Sequence, residues 1–185
     1  MATPHRGDTG DTDLLGHRRV PKHNLVVEAL GTLDEATSAL GVAKQAAQEP
    51  RTRQAIHQAQ DDLYQLMADL ASRPDTGQAA RITAEHVAWL DRGVAALQAA
   101  VPVPRRFVLP GGCAASAAVD YARAVVRTAE RRLAHLALAG APVNPQALVY
   151  VNRLSLLLYY LARAEDGAAG VDFDLAGAPA AREEV

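Results

Sequence analysis

The chain has 185 residues, of which 49% are hydrophobic but only 4% aromatic, and its formal net charge at pH 7 is −2. This length predicts one domain with a core made mainly of Ala, Leu and Val, a composition that favours helices over sheets. The balanced charge excludes the basic excess of a protein that binds nucleic acid or an anionic membrane surface. One cysteine, Cys113, excludes an intrachain disulfide framework.

The sequence predicts neither a secretory signal nor a membrane-spanning segment. Residues 1–8 have no apolar core, and the longest strongly apolar stretch, residues 154–161, is too short to cross a bilayer. Together with the single cysteine, these features favour a soluble protein of the cytoplasm.

The first half of the chain predicts an arm followed by two helices. Residues 1–23 are rich in Gly, Asp, Thr and Arg and lack an apolar period, which is typical of a loop. Apolar residues at helical spacing then predict helices over residues 24–48 and 51–72, with Pro50 between them. A proline- and glycine-containing break follows at residues 74–77.

The second half predicts three further helices. Thr83 is a suitable N-cap for the third, and the fourth spans residues 114–139 after an irregular, proline-containing segment. The dipeptide Asn144-Pro145 combines an N-cap with a proline at the first helical position. It opens a fifth helix that is expected to end near Glu165.

Five helices with short connections predict an all-α fold, a single-domain helical bundle over residues 24–166. Residues 1–23 precede the bundle as an arm. Residues 167–185 are rich in Ala, Gly and Pro and are expected to form a mobile tail.

The fourth helix carries an unusual charge pattern. At about 100° per residue, Arg123, Arg127, Glu130 and Arg131 fall within an arc of about 100°. Three crowded guanidinium groups repel one another unless an anion lies between them, and Glu130 offsets one charge only. A polyphosphate would offset the others, because the planar guanidinium binds phosphate oxygens bidentately. A solvated helix face with ion pairs between turns is the alternative.

The arm contains a second group of residues suited to phosphate. In the segment Arg6-Gly-Asp-Thr-Gly-Asp-Thr12, the glycines allow an anion to approach backbone amides and the threonines add hydroxyl donors. The aspartates could hold Mg²⁺ against a phosphate, and Lys22 follows nearby. The segment is not a Walker A sequence, and a flexible arm without a ligand is the alternative.

The fifth and first helices add polar residues among apolar ones. Asn152, Ser155, Leu156 and Tyr159 share one face of the fifth helix, which suits either a ligand or an ordinary outward surface. Asp34 lies among apolar residues of the first helix, where an acidic side chain commonly meets an arginine of a neighbouring helix. The six histidines lack the spacing of a metal-binding helix, so no metal centre held by the protein is expected.

With these motifs in order, the chain resembles the PduO-type ATP:cob(I)alamin adenosyltransferases. The resemblance extends from about Gly7 to Arg163, and although each motif alone is weak, seven in the order of the family are specific. The motifs are Gly7–Thr12, Val20–Lys22, Val27–Glu35 with Ser38–Gly41, Phe107–Gly112, Ala122–Arg123, Arg127–Arg132 and Asn152–Ser155.

The resemblance implies a homotrimer of five-helix bundles that binds ATP between neighbouring subunits. Two sets of side chains would hold ATP, one from each subunit. The first set comprises Gly7, Thr9, Asp11, Thr12 and Lys22, and the second comprises Arg127, Glu130, Arg131 and Asn152. An ion pair between Asp34 and Arg123 is also implied across that interface.

The resemblance further implies the reaction. Phe107 would lie beneath the corrin ring of cobalamin and displace its lower axial base, which makes four-coordinate cobalt easier to reduce to Co(I). Co(I) would attack the 5′-carbon of ATP, and triphosphate would leave while Mg²⁺ and cationic side chains offset its charge. Tyr159 occupies the position of a phenylalanine of the family on the corrin-facing helix. A corrinoid reductase or an acceptor enzyme is an implied partner.

Two other functions are compatible with parts of the sequence. A repurposed bundle could bind ATP or another ligand in the same intersubunit cleft without corrinoid chemistry, because Leu156 and Tyr159 replace an aspartate and a phenylalanine of the family pattern. A helical oligomerisation module without a small-molecule site would leave Phe107–Gly112 and the arm unexplained. Adenosyl transfer from ATP to a corrinoid is therefore the expected function.

Overall fold

Five α-helices dominate the computed structural model, which describes residues 7–15, 19–72 and 81–177. The helices are α1 (Leu25–Ala46), α2 (Pro50–Ala71), α3 (Ala84–Ala100), α4 (Ala114–Leu138) and α5 (Pro145–Ala168). The prediction of an all-α fold with five helices is confirmed, and each helix begins within one residue of its expected start. Arg6, the predicted break at residues 74–77 and residues 178–185 lie outside the described residues.

Local sequence explains where the helices begin. Asn24 Oδ1 accepts a hydrogen bond from the Val26 amide at 2.9 Å, and Asn144 Oδ1 accepts one from the Gln146 amide at 3.0 Å. Each N-cap supplies an acceptor that the first helical turn lacks. A proline stands in the first turn of both α2 and α5, where its missing amide costs no helical hydrogen bond.

The core lies between α4 and the helices on which it packs. α4 packs most extensively against α1 and α5, while α2 packs on α1 and α3 packs on α5. Each leucine buried there contributes about 1.5–3 kcal/mol relative to exposure, which makes the bundle a stable scaffold for side chains on α4 and α5. No helix in the described ranges is long and apolar enough to cross a membrane. The largest buried apolar side chains include Leu33, Leu40, Ile56, Leu63, Leu90, Leu133, Leu154 and Leu158.

Two buried polar contacts connect α5 to α2. The carboxylate of Glu165 accepts hydrogen bonds from the amides of Gln48 and Glu49, at 3.0 and 3.2 Å, just before α2 begins. The hydroxyl of Tyr150 donates to Asp62 Oδ2 at 2.8 Å. Burial, reinforced by the charge and hydrogen bond of Asp62, raises the pKa of Tyr150 well above its ordinary value. These contacts hold the two helices in one register.

The described residues of the N-terminal arm include two paired strands, here called the hairpin, rather than only the loop that its composition predicts. β1 (Asp11–Asp13) pairs antiparallel with β2 (Arg19–Pro21). The Arg19 side chain lies 3.6 Å from a carboxylate oxygen of each terminal residue of β1. Such short, mostly polar strands show no apolar alternation along the sequence, so their pairing is visible only in the structure.

The segment after α5 differs from the expected mobile tail as far as residue 177. The Leu109 amide donates to the Asp174 carbonyl at 2.7 Å. The Ala176 amide donates to the Phe107 carbonyl at 2.9 Å. Residues 171–177, here called the C-terminal strap, are therefore hydrogen-bonded to the segment before α4. Composition alone suggested mobility because it does not reveal such distant backbone pairing.

Candidate functional site

The hairpin brings Lys22 onto the turn that precedes β1. Its Nζ donates to the Gly7 carbonyl at 2.9 Å, and its amide donates to the Gly10 carbonyl at 2.8 Å. Gly10 has a φ of 86°, a left-handed conformation that other residues rarely adopt. The structure thus brings the predicted residues Gly7 and Lys22 together around a turn whose residues 8–10 are exposed.

An arginine that the sequence reasoning missed connects Thr9 and Asp11. Arg19 Nη2 donates to Thr9 Oγ1 at 3.3 Å, and Arg19 Nε lies 3.6 Å from Asp11 Oδ2. Thr12 is half-buried and pairs with Val20 across the hairpin. Arg19 therefore adds a second cation to the hairpin that holds Lys22. Only the register of β1 and β2 brings it to this position.

Two arginines of the predicted stripe are exposed on α4. Arg131 Nη1 donates to the Arg127 carbonyl, and Arg131 Nη2 donates to Thr128 Oγ1, both at 3.0 Å. Among the residues that the structure describes, none forms a hydrogen bond or ion pair with the Arg127 guanidinium. An exposed guanidinium without a protein partner is available to an anionic ligand.

Glu130 and Asn152 were predicted from different helices and are in direct contact. Asn152 Nδ2 on α5 donates to Glu130 Oε1 on α4 at 2.8 Å. Ser155 is buried, and its hydroxyl donates to the Asn152 carbonyl of the same helix at 2.8 Å. The Glu130–Asn152 contact joins the arginine stripe of α4 to the polar face of α5.

Arg123 and Asp34 do not form an ion pair within the described part of the chain. Arg123 Nε instead donates to Asp120 Oδ1 on the same helix at 3.2 Å. Asp34 is exposed on α1 and has no hydrogen-bond or ion-pair partner in the described ranges. The expected pair joins two subunits, so this arrangement within one chain leaves it a prediction.

Phe107 presents an exposed ring on a hydrogen-bonded backbone. The residue is 87% exposed, although its carbonyl accepts a hydrogen bond from the C-terminal strap. Leu109, two residues later, is 45% exposed. Burial of a large apolar side chain by a ligand would contribute about 1.5–3 kcal/mol. The segment is therefore suited to an apolar ligand surface.

Tyr159 lies half-buried on α5 beside an aromatic and a cationic neighbour. Its ring meets the Tyr160 ring edge-on, with 5.4 Å between their centroids. The guanidinium carbon of Arg163 lies 5.4 Å from the Tyr159 ring centroid, within cation–π range. Leu156, one turn earlier, is 37% exposed. This face of α5 therefore presents the side chains of Leu156 and Tyr159 at the surface, with the buried guanidinium of Arg163 beneath them.

Sequence reasoning also missed a buried charge cluster of Asp120, Arg163 and Asp166. Arg163 Nη2 donates to Asp120 Oδ2 on α4, and Arg163 Nε donates to Asp166 Oδ2 at 2.9 Å. Burial by itself would lower the pKa of Arg163, but the hydrogen bonds and charges of both carboxylates raise it above its ordinary value. The sequence could have indicated the cluster, because Asp120, Arg163 and Asp166 are charged residues at helical positions that face the core.

These features are suited to binding a polyanion beside an apolar surface. Arg127, Arg131 and Lys22 can offset phosphate charge, and Phe107 can contact an apolar ligand. The described residues contain no group of three or more His, Cys, Asp or Glu side chains placed to hold a metal ion.

Comparisons with known proteins place the chain in a family. A family model described as cobalamin adenosyltransferase matches residues 2–165. The corrinoid adenosyltransferase PduO of Citrobacter freundii is 40% identical over 162 residues, which cover 86% of this chain and 48% of that protein. PduO of Salmonella typhimurium is 38% identical over 165 residues, which cover 88% and 49%. The chain thus spans about half the length of these two curated relatives. A cobalamin adenosyltransferase of Cupriavidus metallidurans is 38% identical over 165 residues, which cover 89% of this chain and 87% of that protein.

Solved structures share the fold. A variant of the PduO-type ATP:corrinoid adenosyltransferase from Lactobacillus reuteri, complexed with cobalamin and ATP, has a TM-score of 0.87 at 25% identity. The alignment covers 94% of this chain and 97% of that chain. Another variant of the enzyme, complexed with ATP, has a TM-score of 0.83 at 26% identity, and the alignment covers 92% of this chain and 97% of that chain. The chain therefore belongs to the cobalamin adenosyltransferase family.

Proposed function

We propose that this protein transfers the 5′-deoxyadenosyl group of ATP to the cobalt of a reduced corrinoid and releases triphosphate. The observation that carries the proposal is the exposed Arg127 guanidinium, which has no partner among the described residues and lies on α4. The same helix begins directly after the segment that exposes Phe107. Relatives named corrinoid adenosyltransferases, and a similar structure complexed with cobalamin and ATP, support the proposal.

In this proposal, cations hold the ATP triphosphate. Arg127 and Arg131 lie one turn apart on α4, beside the Glu130–Asn152 contact. Lys22, the turn with Gly7 and Thr9, and Asp11 and Thr12 of β1 would complete the site from a neighbouring subunit. Bidentate guanidinium contacts would fix the phosphates, and hence the direction from which the 5′-carbon can be attacked.

Mg²⁺ is proposed to arrive with ATP, since the described residues hold no cluster that could bind a resident metal ion. Its ligands would be mainly phosphate oxygens. The Asp11 carboxylate, which lies 3.6 Å from Arg19 Nε in the hairpin, would be the protein ligand. When bound, Mg²⁺ would offset charge on the triphosphate.

The corrinoid is the second substrate, and its cobalt supplies the nucleophile. The Co(I) electron pair forms the bond to the 5′-carbon of ATP, the carbon–oxygen bond breaks, and triphosphate leaves with that bonding pair. The protein then needs no nucleophile of its own. Its arginines orient ATP and offset the growing negative charge, which are the main catalytic tasks here. Phe107 would lie against the lower face of the corrin, with Tyr159 beside it.

We also propose that the protein is a homotrimer, because the two sets of ATP-binding residues are assigned to different subunits. The exposed Asp34 carboxylate is available for Arg123 of a neighbour. Large apolar side chains exposed on α1, α2 and α4 could be covered in such an assembly. They are Val42, Tyr64 and Tyr121.

Charge reversal tests the trimer. Asp34→Arg would place two cations opposite each other and should shift the sedimentation equilibrium toward monomer. The double variant with Arg123→Asp exchanges the charges and should restore the trimer. The restoration should be incomplete, because the new carboxylate at position 123 would repel that of Asp120. A monomeric wild-type protein at micromolar concentration would refute the assembly.

The test of the activity combines the protein with ATP, Mg²⁺ and chemically reduced cobalamin. Visible spectra report adenosylcobalamin, and ion chromatography reports triphosphate. The wild type and the control Arg92→Ala should convert cobalamin, since Arg92 is also exposed and unpaired in the described chain but lies on α3. Arg127→Ala should not. A wild type that binds ATP without forming adenosylcobalamin would favour the repurposed bundle.

The reaction also suggests partners and a location. Because Co(I) is required, we propose a corrinoid reductase as a protein partner. An enzyme that accepts the adenosylated product is the other partner that we propose. We place the reaction in the cytoplasm, where the half-buried Cys113 thiol would stay reduced.

A further inference from the structure

The buried charge cluster of Asp120, Arg163 and Asp166 contacts the proposed site in two places, at Arg123 and at Gly112. Each carboxylate uses one oxygen for Arg163 and has a second oxygen that points elsewhere. Asp120 Oδ1 accepts a hydrogen bond from Arg123 Nε at 3.2 Å, so the cluster reaches the arginine stripe of α4. The second oxygen of Asp166 reaches the Phe107–Gly112 segment instead.

Asp166 is packed against Gly112. Its side chain is buried, and its Oδ1 has no hydrogen-bond partner among the described atoms. A Cβ atom built on Gly112 would lie 2.4 Å from that oxygen, a separation too short for any side chain. The carboxylate therefore occupies the space that a residue other than glycine would need. Arg163 holds it there through the hydrogen bond to Oδ2.

This contact bears on Phe107 because it supports the end of the segment at Gly112, whereas the C-terminal strap is hydrogen-bonded at Phe107 and Leu109. Gly112 directly precedes Cys113, whose amide donates to Ser116 Oγ at 3.0 Å in the first turn of α4. The C-terminal strap holds the other end of the segment at the Phe107 carbonyl. The exposed ring has no comparable burial of its own, so its position follows from the backbone on both sides.

We propose that Asp166 is a positioning residue for the Phe107–Gly112 segment, and that Asp120, held by the same buried arginine, positions Arg123. This role rests on the proposed function. Arg163 and Arg123 balance the two carboxylates, which makes it possible to bury the cluster. One buried guanidinium thus holds the segment expected to face the corrin and the arginine expected at the subunit interface.

A double-variant cycle tests the contact. Gly112→Ala adds a methyl group that collides with the carboxylate, whereas Asp166→Ala removes the carboxylate. Hydrogen exchange of the amides at residues 108, 109, 111 and 112 should increase in Gly112→Ala. The combined variant should resemble Asp166→Ala alone, because the collision is then absent. Gly167→Ala is the matched control, since its added Cβ meets no atom within 4 Å.

Steady-state kinetics test the positioning role. Displacement of the segment should raise the KM for the corrinoid by about 10- to 150-fold in Gly112→Ala, because the apolar contact of Phe107 with the corrinoid is then lost. Asp166→Ala should raise it by a smaller factor, because nothing then pushes the segment away, and the KM for ATP should stay at the wild-type value in both variants. A structural defect alone would lower the amount of folded enzyme and leave both KM values unchanged.

The outcomes separate this proposal from the proposed function. Equal exchange in Gly112→Ala and the wild type, or corrinoid KM effects that multiply in the double variant, would overturn the proposal while adenosylation by the wild type stands. A wild type without adenosylation would overturn the function and this role with it. If Asp166→Ala does not fold, Gly112→Ala alone decides, because it removes no charge; a wild-type corrinoid KM there would overturn the proposal.

Discussion

Replacement of Arg127 by alanine gives the most direct prediction for the proposed ATP site. The side chain is exposed and has no protein partner in the described ranges, so its loss should change the free energy of unfolding by less than about 0.5 kcal/mol. Bound between subunits, the same guanidinium would make charge-assisted, bidentate contacts to phosphate. Loss of such a contact costs roughly 2–5 kcal/mol where it is shielded from water.

This cost corresponds to a loss of ATP affinity of roughly 30-fold to several thousand-fold. Titration calorimetry with Mg-ATP measures the affinity, and urea unfolding verifies that the variant is folded. Arg92→Ala removes an equally exposed arginine from α3 and should bind ATP as the wild type does. Wild-type affinity in a folded Arg127→Ala protein would refute the assignment of the stripe to phosphate.

Three further predictions concern the corrin side and the buried polar contacts. Phe107→Ala should leave folding and ATP affinity unchanged, because the ring is 87% exposed. It should abolish the four-coordinate Co(II) spectrum that we expect from the wild type with ATP and cobalamin, and an unchanged spectrum would contradict this. Glu165→Gln replaces one of the two buried oxygens that accept hydrogen bonds from the Gln48 and Glu49 amides. It should lower the free energy of unfolding by about 1–3 kcal/mol in urea titrations; a smaller change would contradict this. The folded-state pKa of Tyr150 lies above its unfolded value, so the unfolded chain loses the proton first as the pH rises. The contribution of this group to the free energy of unfolding is therefore complete below about pH 10 and is lost as the pH rises toward the folded-state pKa. Tyr150→Phe should flatten this loss in unfolding measured from pH 9 to 11, and an equally steep loss would count against the buried Tyr150–Asp62 contact.

Sequence reasoning predicted the helices because their signals are local. The N-caps Thr83 and Asn144, together with Pro50 and Pro145, mark the starts of α3, α5 and α2 within one residue. The helical period also placed Arg127, Glu130 and Arg131 on one side of α4 before any contact was known. The role of these residues as an ATP site stays a prediction.

The missed features depend on residues far apart in the chain. Arg19 reaches Thr9 and Asp11 only when β1 and β2 pair. The strap after α5 was expected to be mobile because its composition resembles a linker, yet its backbone pairs with residues 107–109. Neither contact leaves a periodic pattern in the sequence.

By itself, the sequence determined the helices, the face of each helix that carries charge, and the resemblance to the adenosyltransferases. These properties follow from the 3.6-residue period, from capping and from short motifs, all of which act within a few residues. The tertiary structure decided that Asn152 meets Glu130 and that Arg163 lies between Asp120 and Asp166. Such contacts depend on how each helix is rotated and shifted against its neighbour, and packing of the whole core sets that arrangement.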